Sequence, residues 1–332
     1  MPWGATKKRH DPLVKSNYEF LSAPGGFNQI ALKNPNQKTL IVVAGPTAVG
    51  KTAVAINLAR RFGAEIISAD SRQCYREMSI GVARPSPQEL QQVPHHFIAS
   101  HSITDEINAA SFEAWAMQKA NELFEKHDYI IMPGGTGLYI KAFCEGLDEI
   151  PEVPDEVRQR IIAAYETNGI AWLQEEIRIK DPKFYAEGEI QNPHRLMRAL
   201  EVAEATGRSI LSFRTGDKAQ RPFNIIKFGL ELPREELYTR INRRVDAMMD
   251  AGLLEEVKRL YSFRHLNALQ TVGYTELFDY IEGKHSLERA VELIKQHTRN
   301  YAKRQMTWFK KDMEFAWFLP DANYLFGLDV KD

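Results

Sequence analysis

The residues whose types and spacing most plainly imply chemistry are Gly45, Gly50, Lys51 and Thr52. They belong to the octapeptide Gly45-Pro46-Thr47-Ala48-Val49-Gly50-Lys51-Thr52, which has the G-x-x-x-x-G-K-[ST] spacing of a loop that cradles phosphates. The glycines let the backbone curl so that its N–H groups point inward at an anion. A helix beginning near Lys51 would aim its positive end at the same point. Lys51 adds a full charge, and Thr52 offers a hydroxyl to a Mg²⁺ ion. The bland alternative is a glycine-rich turn with no ligand. The motif alone does not choose between an NTPase, a kinase and a transferase.

Such a loop works only between a buried strand and a helix, and the sequence supplies both. Leu40-Ile41-Val42-Val43-Ala44 is a short apolar run that reads as a buried parallel strand, and Lys51 to Phe62 follows with Val54, Leu58 and Phe62 on one helical face. Glu65 to Ala69 reads as a second strand, Ser111 to Glu125 as a helix, Tyr129 to Met132 as a further buried strand, and a helix restarts at Leu138. This alternation implies an α/β fold, a P-loop NTPase-like parallel sheet flanked by helices. The pattern changes near Gly146. Residues 155–206 are helical in period throughout, a strand-like stretch returns from Asn224 to Leu232, and the chain reads as helical from Arg234 to its end. The expected organisation is therefore a mobile leader over 1–38, a core over 39–145 and 223–320, and an all-helical insertion domain over 146–222.

In an open parallel sheet the ligand sits off the carboxyl ends of the strands. One such end delivers the phosphate loop, the second Asp70-Ser71-Arg72-Gln73, and the third Gly134-Gly135-Thr136-Gly137. Asp70 could serve as a general base, as a ligand to Mg²⁺-bound water, or only as a helix cap or turn residue. NTP-hydrolysing loops of this kind usually end a neighbouring strand with an Asp for Mg²⁺. Here Tyr129 to Met132 ends in Pro133-Gly134, and Asp128 lies at the wrong end.

Basic residues gather in three places. Arg240, Arg243 and Arg244 follow Arg234 on one predicted helix, and they either clamp a leaving phosphate or form a solvated face. The run from Arg299 to Lys311 mixes cations with Tyr301 and Trp308, which suits contact with RNA, or else an amphipathic helix that packs both aromatics inward. Arg195 and Arg198 stand at helical spacing after Asn192-Pro193-His194. Composition sets limits on this reading. The 332 residues are 44% hydrophobic and 26% charged with a net charge of −1, so any nucleic-acid binding must come from local patches. Two cysteines, Cys74 and Cys144, point to no disulfide framework and to a reducing, cytoplasmic setting. No apolar run approaches the length of a membrane helix. His95, His96, Cys74 and Met248-Met249 read as packing residues.

Taken in order, GPTAVGKT, SADSRQCY, IGVARP, PHH at 94–96, GGTGLY, HRLMRALEV, RINRRVDAM, TVGY and YAKRQMTWF resemble the bacterial tRNA dimethylallyltransferase family over roughly residues 39–312. Departures are Val82, Arg84 and Ala99, where the family usually has Thr, Lys and Asp. The resemblance implies transfer of a dimethylallyl group from dimethylallyl diphosphate to N6 of the adenine 3′ of the tRNA anticodon. It further implies that Gly45 to Thr52 bind the diphosphate with Mg²⁺ held partly by Thr52, that Thr47 and Arg244 act at the reaction centre, and that Asp70 takes the proton of the attacking amine. The flipped base would pass Asp70, Ser71, Arg72, Gln73, Thr136, Arg158, His194, Arg195 and Arg198. Gly273, Tyr274, Lys303, Arg304, Gln305 and Trp308 would hold the anticodon stem. A monomer is expected. The rivals are an enzyme prenylating a free adenylate, a P-loop small-molecule or nucleoside kinase, and a non-catalytic RNA-binding protein.

Overall fold

The computed structural model describes residues 37–320; the expected leader lies outside them apart from Gln37 and Lys38. Six strands form one all-parallel sheet: β1 (Thr39–Ala44), β2 (Glu65–Ile67), β3 (His95–His96), β4 (Tyr129–Gly134), β5 (Asn224–Leu230) and β6 (Ala316–Phe318). Their order across the sheet is β3-β2-β4-β1-β5-β6. Strand β1 lies between β4 and β5, and all six of its residues are buried. A strand covered on both faces has no polar face to show, which is why Leu40 to Ala44 reads as an uninterrupted apolar run. Ile41 and Val43 pack with Ile66, Ile131 and Phe228 on one side, while Leu40 and Val42 pack with Ile130, Met132 and Phe112 on the other.

Helices α1 (Lys51–Phe62), α2 (Pro87–Leu90), α3 (Ala109–Phe124) and α4 (Gly137–Glu145) connect the first strands. The register sets the site. Ala44 lies opposite both Gly134 and Gly229, and Ala69 bridges to Gly134, so the strand ends arrive level on one edge.

Residues 145–220 form a compact unit of their own. It contains α5 (Asp155–Lys180, broken at Gly169 where φ is 72°), α6 (Pro182–Glu187) and α7 (Pro193–Thr206). Ile161, Leu173, Ile177, Phe184, Leu196 and Leu200 make its core. The chain then returns through β5 to α8 (Arg234–Asp250), α9 (Leu253–Leu260), α10 (Thr275–Ile281) and α11 (Leu287–Phe309). Among the described residues, no helix is long and apolar enough to cross a membrane.

Three sequence expectations need correction. The region after Arg234 is not helical throughout, because β6 closes one edge of the sheet beside β5. Strand β3 was not foreseen; it is two residues long and carries two histidines, too short to show a period. Strand β2 ends at Ile67, and Ala69 keeps only a single bridge.

The level strand ends need a glycine at 134, because a Cβ there would lie 2.5 Å from the Ala69 carbonyl oxygen. Gly134→Ala is therefore expected to lower stability by about 1–3 kcal/mol, read as a reduced midpoint of urea unfolding. An unchanged midpoint would contradict this close approach.

Candidate active site

The phosphate loop is held in a shape that its sequence requires. Gly45 has φ of 153°, and a Cβ on it would meet the Leu230 carbonyl oxygen at 2.6 Å. Gly50 caps α1 in the left-handed region at φ 110°. Lys51 folds back over the loop, its Nζ donating to the carbonyls of Gly45 (3.0 Å) and Pro46 (2.9 Å). Burial pushes the Lys51 ammonium down to about 8; the Asp70 charge opposes this and the Arg244 charge adds to it. Thr52 is half-buried in the first turn of α1.

The end of the second strand turns sharply at Asp70. Its Oδ1 accepts from the backbone N–H groups of Arg72 (2.9 Å) and Gln73 (3.2 Å), while Oδ2 takes no hydrogen bond among the described residues. One oxygen thus does the turn's work and the other remains open for chemistry. Thr136, just past the end of β4, accepts from Ser71 N (3.0 Å) and donates to Ser71 Oγ (3.2 Å). Gln73 spends its side-chain amide on the carbonyls of Val82 (3.2 Å) and Ala83 (3.0 Å).

Helix α11 closes the site. Its inward face is Ala302, Gln305 and Phe309, and its outward face carries Lys303, Arg304 and Thr307. Tyr301 and Trp308 are 37% and 39% exposed, so the alternative in which both pack inward does not hold. Trp308 lies over Gly137, where a Cβ would come within 2.2 Å of the indole ring. Three residues expected on the RNA surface, Gly273, Tyr274 and Gln305, are inside. Gln305 is 6% exposed; its Oε1 accepts from Thr47 N (2.8 Å) and its Nε2 donates to the Gly135 carbonyl (2.8 Å). It falls inside because 302, 305 and 309 share one helical face. Tyr274 is fully buried, and its hydroxyl donates to Glu256 Oε1 at 2.6 Å. Burial, and then the Glu256 charge, push that phenol well above its ordinary range.

These elements enclose a cavity of about 590 Å³ lined by Thr47, Asp70, Arg72, Arg244, Tyr301 and Arg304, with Gly81 to Ala83 and Gln270 to Gly273 as further wall. Of the α8 arginines only Arg244 lines it, and burial lowers its guanidinium pKa. Arg243 is exposed, and Arg240 is exposed and paired with Glu236 at 2.8 Å. On the separate helical unit Arg158, His194 and Arg195 are exposed, and Arg198 pairs with Glu201 at 3.1 Å. Asp128 is paired with Lys38 at the opposite end of β4. Cys74 is buried, and burial raises its thiol to about 12. His95 bonds the Val93 carbonyl (2.8 Å) and His96 bonds Glu65 (2.6 Å). The sequence reading passed over Glu256, Glu276 and His297. Glu276 is buried and accepts from Gly273 N (2.7 Å), while His297 bonds its other oxygen (2.6 Å).

The glycine loop brings Thr47 to a cavity that Asp70 and a cationic wall also line, the arrangement of an α/β enzyme. The chain matches the model of the IPP transferase family over residues 73–312. It is 48% identical over 283 residues to tRNA dimethylallyltransferase 1 of Phocaeicola vulgatus, covering 85% of this chain and 94% of that one. It is 50% identical over 284 residues to the tRNA dimethylallyltransferase of Christiangramia forsetii, covering 86% and 94%. Among solved structures, the tRNA isopentenylpyrophosphate transferase of Bacillus halodurans aligns with a TM-score of 0.62 at 37% identity, covering 85% of this chain and 90% of that one. A eukaryotic dimethylallyltransferase acting on tRNA aligns with a TM-score of 0.68 at 27% identity, covering 82% and 70%. The chain belongs to the IPP transferase family.

Lys51 gives a pH test of the loop. Its pKa is about 8, and a bound diphosphate would stabilise the charged form. Above pH 8 binding must then restore the missing proton. At pH 8.5, binding of inorganic pyrophosphate is expected to take up roughly half a proton or more beyond that of a Lys51→Met variant. Calorimetry in buffers of different ionisation enthalpy measures this, and equal uptake by the two proteins would contradict it.

Proposed function

We propose that the protein transfers a dimethylallyl group from dimethylallyl diphosphate to N6 of the adenine immediately 3′ of the anticodon in tRNAs, giving N6-dimethylallyladenosine and pyrophosphate. The observation that carries this reading is that Thr47, Asp70 and Arg244, from three separate elements, line one cavity. Its volume of about 590 Å³ falls in the range that holds a small organic ligand. The names of the relatives support the same donor and acceptor classes.

The loop from Gly45 to Thr52, through N–H groups other than that of Thr47, and the Lys51 ammonium bind the diphosphate and take up charge as it departs. Arg244 lies across the cavity and stabilises the same developing charge. Thr47 is fixed by Gln305 through its N–H, which leaves its hydroxyl to orient the donor. The adenine amine is a weak nucleophile because its lone pair is delocalised into the ring. Asp70 Oδ2 accepts the amine proton as nitrogen bonds to the allylic carbon and the carbon–oxygen bond to the diphosphate breaks. Among the described residues no trio of His, Cys, Asp or Glu side chains converges beside the loop. The Thr52 hydroxyl there suits Mg²⁺, which takes most of its ligands from substrate phosphates and water. When bound it neutralises leaving-group charge.

The target base leaves the anticodon stack to reach Asp70. Arg72 and Arg304 at the cavity and the exposed Lys303 and Trp308 contact the RNA backbone and bases, and the helical unit over 145–220 adds Arg158, His194, Arg195 and Arg198. The enzyme acts in the cytoplasm as a monomer.

Asp70→Ala is expected to lower single-turnover transfer by about 10²–10⁴-fold while leaving affinity for the donor within a few-fold of the parent. Near-normal transfer by the variant would remove Asp70 as the base.

A further inference from the structure

Two buried groups, the Glu256 carboxylate and the Tyr274 hydroxyl, and the half-buried Arg84 guanidinium have no part in the chemistry above. They meet at the turn from Ser79 to Ala83, whose last three residues form one wall of the cavity. Glu256 is 2% exposed. Its Oε2 accepts from the N–H groups of Ser79 (3.1 Å) and Ile80 (2.9 Å), and its Oε1 accepts from Gly81 N (3.0 Å) and Tyr274 Oη (2.6 Å). Three consecutive backbone N–H groups aimed at one point make an anion site. Here an internal carboxylate fills it, which explains how a buried charge is tolerated.

The rest of the turn is fixed as firmly. Arg84 donates through Nη2 to the carbonyls of Tyr75 (2.7 Å), Arg76 (2.9 Å) and Met78, and its charge faces Glu256. The Tyr274 ring occupies the space of a side chain at Gly81, where a Cβ would meet it at 2.5 Å. Ala83 is held at φ 49°, in the left-handed region, a conformation that persists only where surrounding structure enforces it. The carbonyls of Val82 and Ala83 are fastened by Gln73 to the same turn that presents Asp70. The wall is therefore coupled to the carboxylate that meets the acceptor amine, not to the phosphate loop that meets the donor.

We infer that Glu256, locked by Tyr274, is a positioning residue for the acceptor: it sets the wall from Gly81 to Ala83 against which the target nucleobase rests, and through Gln73 the angle of the Asp70 turn. This rests on the transfer reading proposed above. On this basis the Gly273-Tyr274 motif contributes to RNA recognition from inside the protein, without its tyrosine touching RNA.

The test is steady-state transfer by the full chain, its Tyr274→Phe variant and its Glu256→Gln variant, varying tRNA and dimethylallyl diphosphate separately. Tyr274→Phe keeps the ring and removes one hydrogen bond to a buried carboxylate. The KM for tRNA is expected to rise about five- to tenfold while the KM for the donor stays within about twofold. Glu256→Gln turns a carboxamide NH₂, itself a donor, toward the backbone N–H donors and is expected to act in the same direction and further, with faster hydrogen exchange at the amides of 79–81. A purely structural brace would lower the active fraction of enzyme and leave both KM values unchanged. Unchanged tRNA KM in both variants, or an equal rise in both KM values, would overturn the inference. Absence of transfer by the parent protein would instead remove the transfer reading on which it rests.

Discussion

The site depends on one buried amide. Gln305 accepts from the phosphate loop at Thr47 and donates to the glycine turn at Gly135. In doing so it ties the end of β1 and the end of β4 to α11. The Gln305 amide occupies the space a Cβ on Gly135 would need. Both polar ends are satisfied, so the tie carries no desolvation penalty from an unpaired group. The same helix then presents Tyr301 and Arg304 to the cavity and Lys303 and Thr307 to solvent. The position of the phosphate loop and the position of the exposed cationic face are thus set by one helix.

Charge is distributed by the same logic. The chain as a whole carries a net charge of −1, yet Arg72, Arg244 and Arg304 line the cavity around Asp70. Lys51 on the loop turns its ammonium onto the loop's own carbonyls.

Much of this was legible in the sequence, and the reasons are physical. The buried strands announce themselves because a strand covered on both faces must be apolar throughout, and the phosphate loop announces itself because only glycine tolerates the backbone at 45 and 50. Asp70 was placed correctly at a strand end, but its divided use, one oxygen for the turn and one open, follows from geometry that no spacing encodes. Gln305 and Tyr274 were misread because a polar residue beside cations and a tyrosine after a glycine look like surface contacts. A signal for the buried network did exist. Glu256 lies on the same face as Leu253, Val257 and Leu260, and Glu276 directly precedes Leu277 and Phe278. An acid on an apolar helix face must find donors, and both do. Strands β3 and β6 are two and three residues long, too short for any period, and are specified by the neighbours they pair with.

The central claim is that the loop from Gly45 to Thr52 holds a prenyl diphosphate whose alkyl group leaves for a tRNA adenine. The most direct measurement is transfer of label from dimethylallyl diphosphate to unmodified tRNA bearing adenine 3′ of the anticodon, run beside the same tRNA with that adenine replaced and beside ATP with Mg²⁺. The account predicts label in the first RNA, none in the second, and no consumption of ATP. Consumption of ATP without labelled RNA would contradict it and favour a phosphoryl-transfer enzyme built on the same loop.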